Sequence, residues 1–518
     1  MKNKIYLYTV LSLTASLLFI SSCNLNRYPS NAFSPDDAVE TVEHAKYWEA
    51  GYMAGLRTVQ KGGFENLQDV QADQLNATVS FGTNMSDPYA WEPFKADNSD
   101  LASVYQGYYS RIKNINFSLP RMENIPTTND SETAALHHAM GVGYLLRGYY
   151  YFNLAIRFGA LYNATTAGKD LSVPLILEYE PHEMPSRNTN SEVYAQVLKD
   201  IESAKEHLKG YPGAMMSSSI TIDAAKALEA RVRFYMSDWQ GSFEVAKDII
   251  TSGKYSLCEA DEQSLRNMWH NSLSSEEIFQ MTIERPEELP NTSNYYAATT
   301  AYDGTLGLGN TPDYLPTQWM IDLYEDNDLR KWIYFESQNG IYHNRVYPVV
   351  VVSKFKGDRY HSIQEGAKYA VWGNYLPNGL TSPKVFRLAE QYLIVAEAAY
   401  NLGKEKEALS YLNSLRRSRG LKALNTSGIR LFREIQDERT RELAYEGFRL
   451  WDLRRWNMPM ERHDPQALSD GTTPFLYQGA GLTLSIPSGA DKFVWGIPSN
   501  DIKTNKNIAD QQNPGWGL

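Results

Sequence analysis

Apolar residues recur three and four positions apart along much of this chain, the spacing that lines one face of an α-helix. Over residues 137–157, Leu145, Gly148, Tyr149, Phe152 and Ile156 fall on one side. Over residues 191–208 the stripe is Val193, Val197, Ile201, Ala204 and Leu208. Residues 224–236 and 243–250 predict a further pair of helices, broken at Asp238-Trp239-Gln240-Gly241. The clearest pair comes late. Ala389, Tyr392, Leu393, Ala396 and Ala399 make one stripe, Leu402-Gly403 a turn, and Ala408, Leu412 and Leu415 the facing stripe. Arg416, Arg417 and Arg419 crowd the last turn before Gly420, where a helix C-terminus favours positive charge. Small alanines at a close helix crossing, a glycine turn and pairs about 34 residues long are the pattern of tetratricopeptide-like units. The pairs are scattered in sequence, so a plain solenoid is not expected.

Between residues 255 and 381 the periodicity changes. Short β-like runs at 277–283 and 346–352 alternate with loops rich in Gly, Asn, Pro and Tyr. Long loops on a rigid scaffold commonly carry binding, so the ligand is expected here. The fold class is therefore read as mainly α: helix pairs form the scaffold, and a loop-rich face carries a few short strands. Residues 35–254 and 255–518 are taken as the helical first part and the second part of one compact domain.

The first residues belong to a different pattern. Lys2 and Lys4 precede an apolar run over residues 5–20, long enough for a secretory signal but short for a bilayer span. It ends Ile20-Ser21-Ser22-Cys23, which resembles a bacterial lipobox, so residues 1–22 are read as a lipoprotein signal peptide. Cys23 is then the lipidated first mature residue. Residues 23–34 form a polar tether, and Ser34-Pro35-Asp36-Asp37 reads as the cap of the first helix. The other cysteine, Cys258, is left without a disulfide partner. Loss of Lys2 and Lys4 leaves 48 basic residues against 61 acidic ones, a net charge of −13. That balance opposes nucleic-acid binding, which needs a basic face to neutralise phosphates. Tyrosine is abundant, 35 against 18 Phe, and suits surfaces that use both a flat apolar face and a polar tip.

Several long segments together resemble one family. They are FRLAEQYLIVAEA (386–398), LNSLRRSRG (412–420), IQDERTRELAYEGFRLWDLRRW (435–456) and the closing VWGIPSNDIKTNKNIADQQNPGW (494–516). LLRGYYYFNLAIRFGA (145–160) and residues 190–208 add earlier matches. The chain in these segments resembles the SusD/RagB family of nutrient-binding outer-membrane lipoproteins. The resemblance implies a SusD-like fold and a non-enzymatic role. It also implies a glycan or oligosaccharide ligand handed to a SusC-type TonB-dependent transporter, with the anchor facing the cell exterior. A RagB-like peptide ligand and a lipid-anchored glycoside hydrolase are the alternatives.

Candidate chemistry is sparse. The run Glu438, Arg439, Arg441, Glu442, Glu446, Arg449, Asp452, Arg454, Arg455 is interleaved with Leu443, Phe448, Trp451 and Trp456, so these charges are read as a structural ion-pair network. His182-Glu183 lacks the second histidine of a zinc helix, and His137-His138 point to different sides of theirs. Tyr324-Glu325-Asp326-Asn327-Asp328 lacks the glycine of a calcium loop and reads as a solvated turn. No cofactor or metal is expected. A sugar ring needs a flat aromatic face with polar groups near its hydroxyl rim. Asp87-Pro88-Tyr89-Ala90-Trp91, Asn294-Tyr295-Tyr296 and Tyr302-Asp303-Gly304 offer both, making Tyr89, Trp91, Tyr295, Tyr296 and Tyr302 the candidate ligand contacts. Trp319, in a stripe with Leu323, is read as core.

Overall fold

The structure, a computed structural model, describes residues 37–60, 62–82, 84–281, 300–303, 307–355 and 382–517. Cys23, Ser34, Tyr295 and Tyr296 lie outside the described residues. Among those described, no helix is long and apolar enough to cross a membrane.

The principal helices are α1 (Val42–Val59), α2 (Gly63–Gln71), α3 (Ser99–Met122), α4 (Asp130–Phe158), α5 (Asn190–His207), α6 (Ile222–Tyr235), α7 (Trp239–Thr251) and α8 (Glu262–His270). They continue as α9 (Leu388–Asn401), α10 (Glu405–Ser418), α11 (Gly428–Glu442) and α12 (Arg449–Arg455). The expected cap at Ser34 lies outside the described residues; residues 37–41 are not helical, and the first helix among those described opens after Thr41, whose hydroxyl accepts from the His44 amide at 3.1 Å. An extended cap residue with a free oxygen satisfies an amide that the helix itself leaves unpaired. Asn98 does the same for α3 and Asn129 for α4, while Thr189 and Glu192 form a reciprocal capping box on α5.

Helix α4 is buried on nearly every side over its second half, so it forms the axis of the first part. It packs on α1, α3 and α5. Gly148 permits the α5 crossing: a Cβ there would stand 3.3 Å from the Val197 carbonyl and 3.4 Å from the Asp200 Cβ. From α3 onward each scaffold helix packs on the next, through α4, α5, α6 and α7. The stack then continues with α9, which packs on α7 although residues 252–387 separate them in sequence. Small residues serve this stretch: Ala246 of α7 and Ala396 and Ala399 of α9 are fully buried in the same core. Pairs that are scattered along the chain are thus contiguous in space, with α10 and α11 closing the row.

The intervening segment supplies the strands. β1 (Leu75–Ala77) pairs antiparallel with β5 (Tyr314–Pro316), and β2 (Glu277–Gln280) with β8 (Lys384–Arg387). β3 (Thr300–Asp303), β4 (Gly307–Asn310), β6 (Phe335–Tyr342) and β7 (Arg345–Val352) form one sheet in the order β3-β4-β6-β7. The β6–β7 hairpin turns on His343 and Asn344, both at positive φ (50° and 56°), as a tight turn that follows strand twist requires.

Candidate functional site

The charged run of α11 and α12 is buried and paired. The Glu442 carboxylate accepts four hydrogen bonds, from Arg330 (2.8 Å), Arg387 (2.5 Å) and twice from Arg419 (2.9 Å each). Arg330 also clasps Asp328 at 2.7 Å and Glu438 at 2.7 Å, Arg419 clasps Glu276 at 2.8 Å, and Arg387 and Lys354 share Glu446 at 2.6 Å. The turn at 324–328 is only partly solvated: Asp326 is exposed beside Lys331, whereas Asp328 is fully buried against Arg330. Its aspartate is drawn inward because a buried guanidinium needs a carboxylate partner.

Burial alone would raise the Glu438 carboxyl, but Arg330, Arg441 and Arg416 outweigh it and hold it near about 2, from an ordinary 4.5. Glu442 and Glu446 are likewise held low, Glu442 by Arg419 and Arg387, Glu446 by Arg387 and Lys354, each against burial. A carboxylate with a depressed folded-state pKa stabilises the fold fully above its unfolded pKa and loses that contribution as pH falls through the folded value. Stability is therefore expected to drop steeply as pH falls from about 4.5 toward about 2, by about 3 kcal/mol from Glu438 alone. Urea midpoints measured across that interval check this; a flat profile would contradict the network.

The 72–91 segment joins β5 and the 460–481 segment at one end of the molecule. Thr78 donates its amide to the Asp313 carbonyl at 2.9 Å and its hydroxyl to that of Pro312 at 2.7 Å; the Tyr314 hydroxyl donates to the Asn84 carbonyl at 2.6 Å. Val79 and Tyr477 tie the same backbone to the later segment, donating to the Phe475 and Ala77 carbonyls at 3.0 Å each. Above this join runs a shallow groove of about 480 Å³, with Val79, His343, Thr473, Pro474, Tyr477 and Gln478 among its lining. Tyr477 is half-buried and lies 4.7 Å from Phe81, which itself packs on Tyr314 at 6.2 Å, so the groove tyrosine rests on an aromatic base. Polar groups line it as well: His343 and Gln478 are exposed.

Two expected contact residues are buried and not at the surface. Tyr89 is 1% exposed, 5.7 Å from Tyr314 and under the Arg462 guanidinium at 4.2 Å. Trp91 is 2% exposed, donates its indole N–H to the Gln71 carbonyl at 2.8 Å and packs on Phe493 at 5.0 Å. Both rings are claimed by partners distant in sequence, which corrects the expectation that this loop presents them to solvent. Tyr302 stands in β3 opposite Leu308, in the sheet whose β6–β7 turn carries His343. Trp319 is partly buried against the core and stacks on His463 at 3.9 Å.

Arg462 positions much of this end. Its guanidinium donates to the carbonyls of Ala72, Leu75 (2.9 Å), Tyr89 (2.8 Å) and Gly481 (3.1 Å), so one side chain holds three segments. Nothing in Pro459-Met460-Glu461-Arg462-His463 distinguishes it from a surface arginine, and Tyr477 likewise lacks any local signature. Among the described residues no group of three His, Cys, Asp or Glu side chains converges to hold a metal.

The SusD family model matches residues 333–516, and the model described as starch-binding and associating with the outer membrane matches residues 36–235. SusD-like protein P38 of Formosa agariphila is 23% identical to this chain, over 87% of it and 91% of the relative. The starch-binding protein SusD of Bacteroides thetaiotaomicron is 29% identical over 32% of this chain and 28% of its own. Among solved structures, a SusD-like carbohydrate-binding protein from Bacteroides vulgatus superposes with a TM-score of 0.73 at 18% identity, covering 92% of this chain and 99% of its own. A laminarin-binding SusD-like protein gives 0.66 at 18%, covering 92% and 100%.

Proposed function

Since the chain belongs to the SusD family, we propose that it captures an oligosaccharide at the outer membrane through the Tyr477 groove and passes it to a SusC-type TonB-dependent transporter. The observation that carries this reading is a half-buried tyrosine braced by Phe81 and flanked by exposed amide and imidazole groups. A braced ring loses little entropy when a sugar face covers it, and the flanking groups pair with the hydroxyl rim. The shallow, open form suits a stretch of polymer better than an enclosed small molecule. Tyr302, Tyr295 and Tyr296 are proposed as further ligand contacts. Acylation of Cys23 would tether the site at the outer leaflet, facing outward. Two acyl chains suffice for stable anchoring where one does not.

The test is retardation of the mature protein in gels containing starch, laminarin or other polysaccharides. Tyr477→Ala is expected to weaken the retarding interaction about tenfold, as loss of one stacked ring does. Binding that survives this change intact would remove Tyr477 from the site, and failure on every glycan would remove the ligand class. Offering peptides tests the RagB-like alternative, and product release from the same panel tests the hydrolase.

A further inference from the structure

Away from the groove, a second cavity of about 130 Å³ lies where α2, α4 and β8 meet the start of α12. Its lining mixes aromatic faces, including Tyr108 and Tyr149, with amides, carboxyls and guanidinium groups. Four buried polar atoms of that lining have no partner among the described residues: the Gln68 carbonyl oxygen, the indole N–H groups of Trp269 and Trp451, and the Arg157 Nε–H. The four residues are 1%, 1%, 3% and 4% exposed, respectively. A buried polar atom without a partner is destabilising, so three donors and an acceptor around one space imply something that fills it and pairs with them.

Most of the charge in the lining is spent within the protein, which favours a neutral occupant; Lys384 donates to the Ser382 carbonyl at 3.2 Å and its charge is opposed by Glu277. Arg231 is neutralised by Glu390 at 2.6 Å, and Glu446 by Arg387 and Lys354 at 2.6 Å. Burial, with Asp69 and Glu446 adding to it, raises the Glu65 carboxyl above its ordinary range, an effect that its partial exposure at the rim reduces. The Arg157 guanidinium is spread over the Tyr108, Trp451 and Trp495 rings at 5.6 to 5.9 Å. An apolar cavity of about 150 Å³ admits a benzene ring. Here the wall is half-exposed at Gly62, Phe64, Glu65 and Ser382, so the space opens to solvent there and its occupant can project outward.

We infer that this cavity is a binding site for a single neutral sugar ring, a pentose or hexose, separate from the groove. The ring would receive the two indole N–H groups and the Arg157 Nε–H on its hydroxyl oxygens and donate one hydroxyl to Gln68. Isothermal titration of D-xylose, D-glucose and D-galactose into the mature chain, with a crystal structure grown in the tightest of them, tests the assignment. Saturable binding is expected, with ring density in the cavity. Trp269→Phe and Trp451→Phe, which keep a ring and delete one donor, should each weaken it about tenfold; if one of them fails to fold, the other carries the comparison. Ordered water alone in the cavity with no saturable heat from the three sugars, or binding indifferent to the folded variants, would overturn it. Neither readout depends on polysaccharide capture by the groove.

Discussion

Glu442→Gln is expected to lower the stability of this protein by about 3–5 kcal/mol, the effect of removing one partner from a buried ion pair. The carboxylate accepts from three arginines that are themselves almost wholly buried, and an amide offers one acceptor and two donors in its place. Asp328, Glu438, Glu276 and Glu446 remain as partners, but the space between Arg330, Arg387 and Arg419 then holds an N–H group facing positive charge. Since folded domains are stable by about 5–15 kcal/mol, the variant should unfold at a much lower urea concentration or accumulate poorly. Lys209→Ala, which breaks an exposed pair with Glu206, is the control and should leave the midpoint in place. A Glu442→Gln protein with the parent's midpoint would show that these charges are not closed off from water.

Arg462→Met should be nearly as damaging, for a different reason. Arg462 makes no ion pair among the described contacts; it serves backbone carbonyls from Ala72, Leu75, Tyr89 and Gly481. Methionine fills similar space yet donates nothing, leaving buried carbonyls unpaired at about 1–3 kcal/mol each before relaxation. The expected outcome is a loss of about 3–5 kcal/mol, with hydrogen exchange rising first in residues 72–91 and glycan retardation falling along with it. Lysine restores the charge but not the planar fork, so Arg462→Lys should recover only a small part. Protection of 72–91 unchanged in Arg462→Met would mean that the segment is held by β1 and the Tyr314 contacts alone.

The helical frame was legible because each stripe is local. Val193, Val197, Ile201 and Ala204 point the same way whatever they pack on, and all are buried. The ion-pair network was legible for a related reason, since Glu438, Glu442 and Asp452 alternate with Leu443, Leu450 and Leu453, which must be inside. Among the described residues the first helix takes Thr41 as its cap; Ser34 and Thr41 look alike in sequence, and only the chain's path decides between such caps. The setting of the candidate site residues was not legible. Tyr89 and Trp91 do mark the segment that meets β5, but their burial is set by Gln71, Arg462 and Phe493, and no periodicity within five residues encodes a contact with residue 462 or 493. Tyr477 acquires its setting only when Phe81, some four hundred residues earlier, arrives beneath it.

The direct packing of α9 on α7 has an evolutionary consequence. The segment hung between those two helices is riveted to the row by Glu276, Arg330, Lys354 and Arg387, whose partners are Arg419, Glu442 and Glu446, so changes of length between these anchors leave the stack in place while changes at them disturb it. Length and sequence can therefore vary between the rivets without moving the helices that carry them.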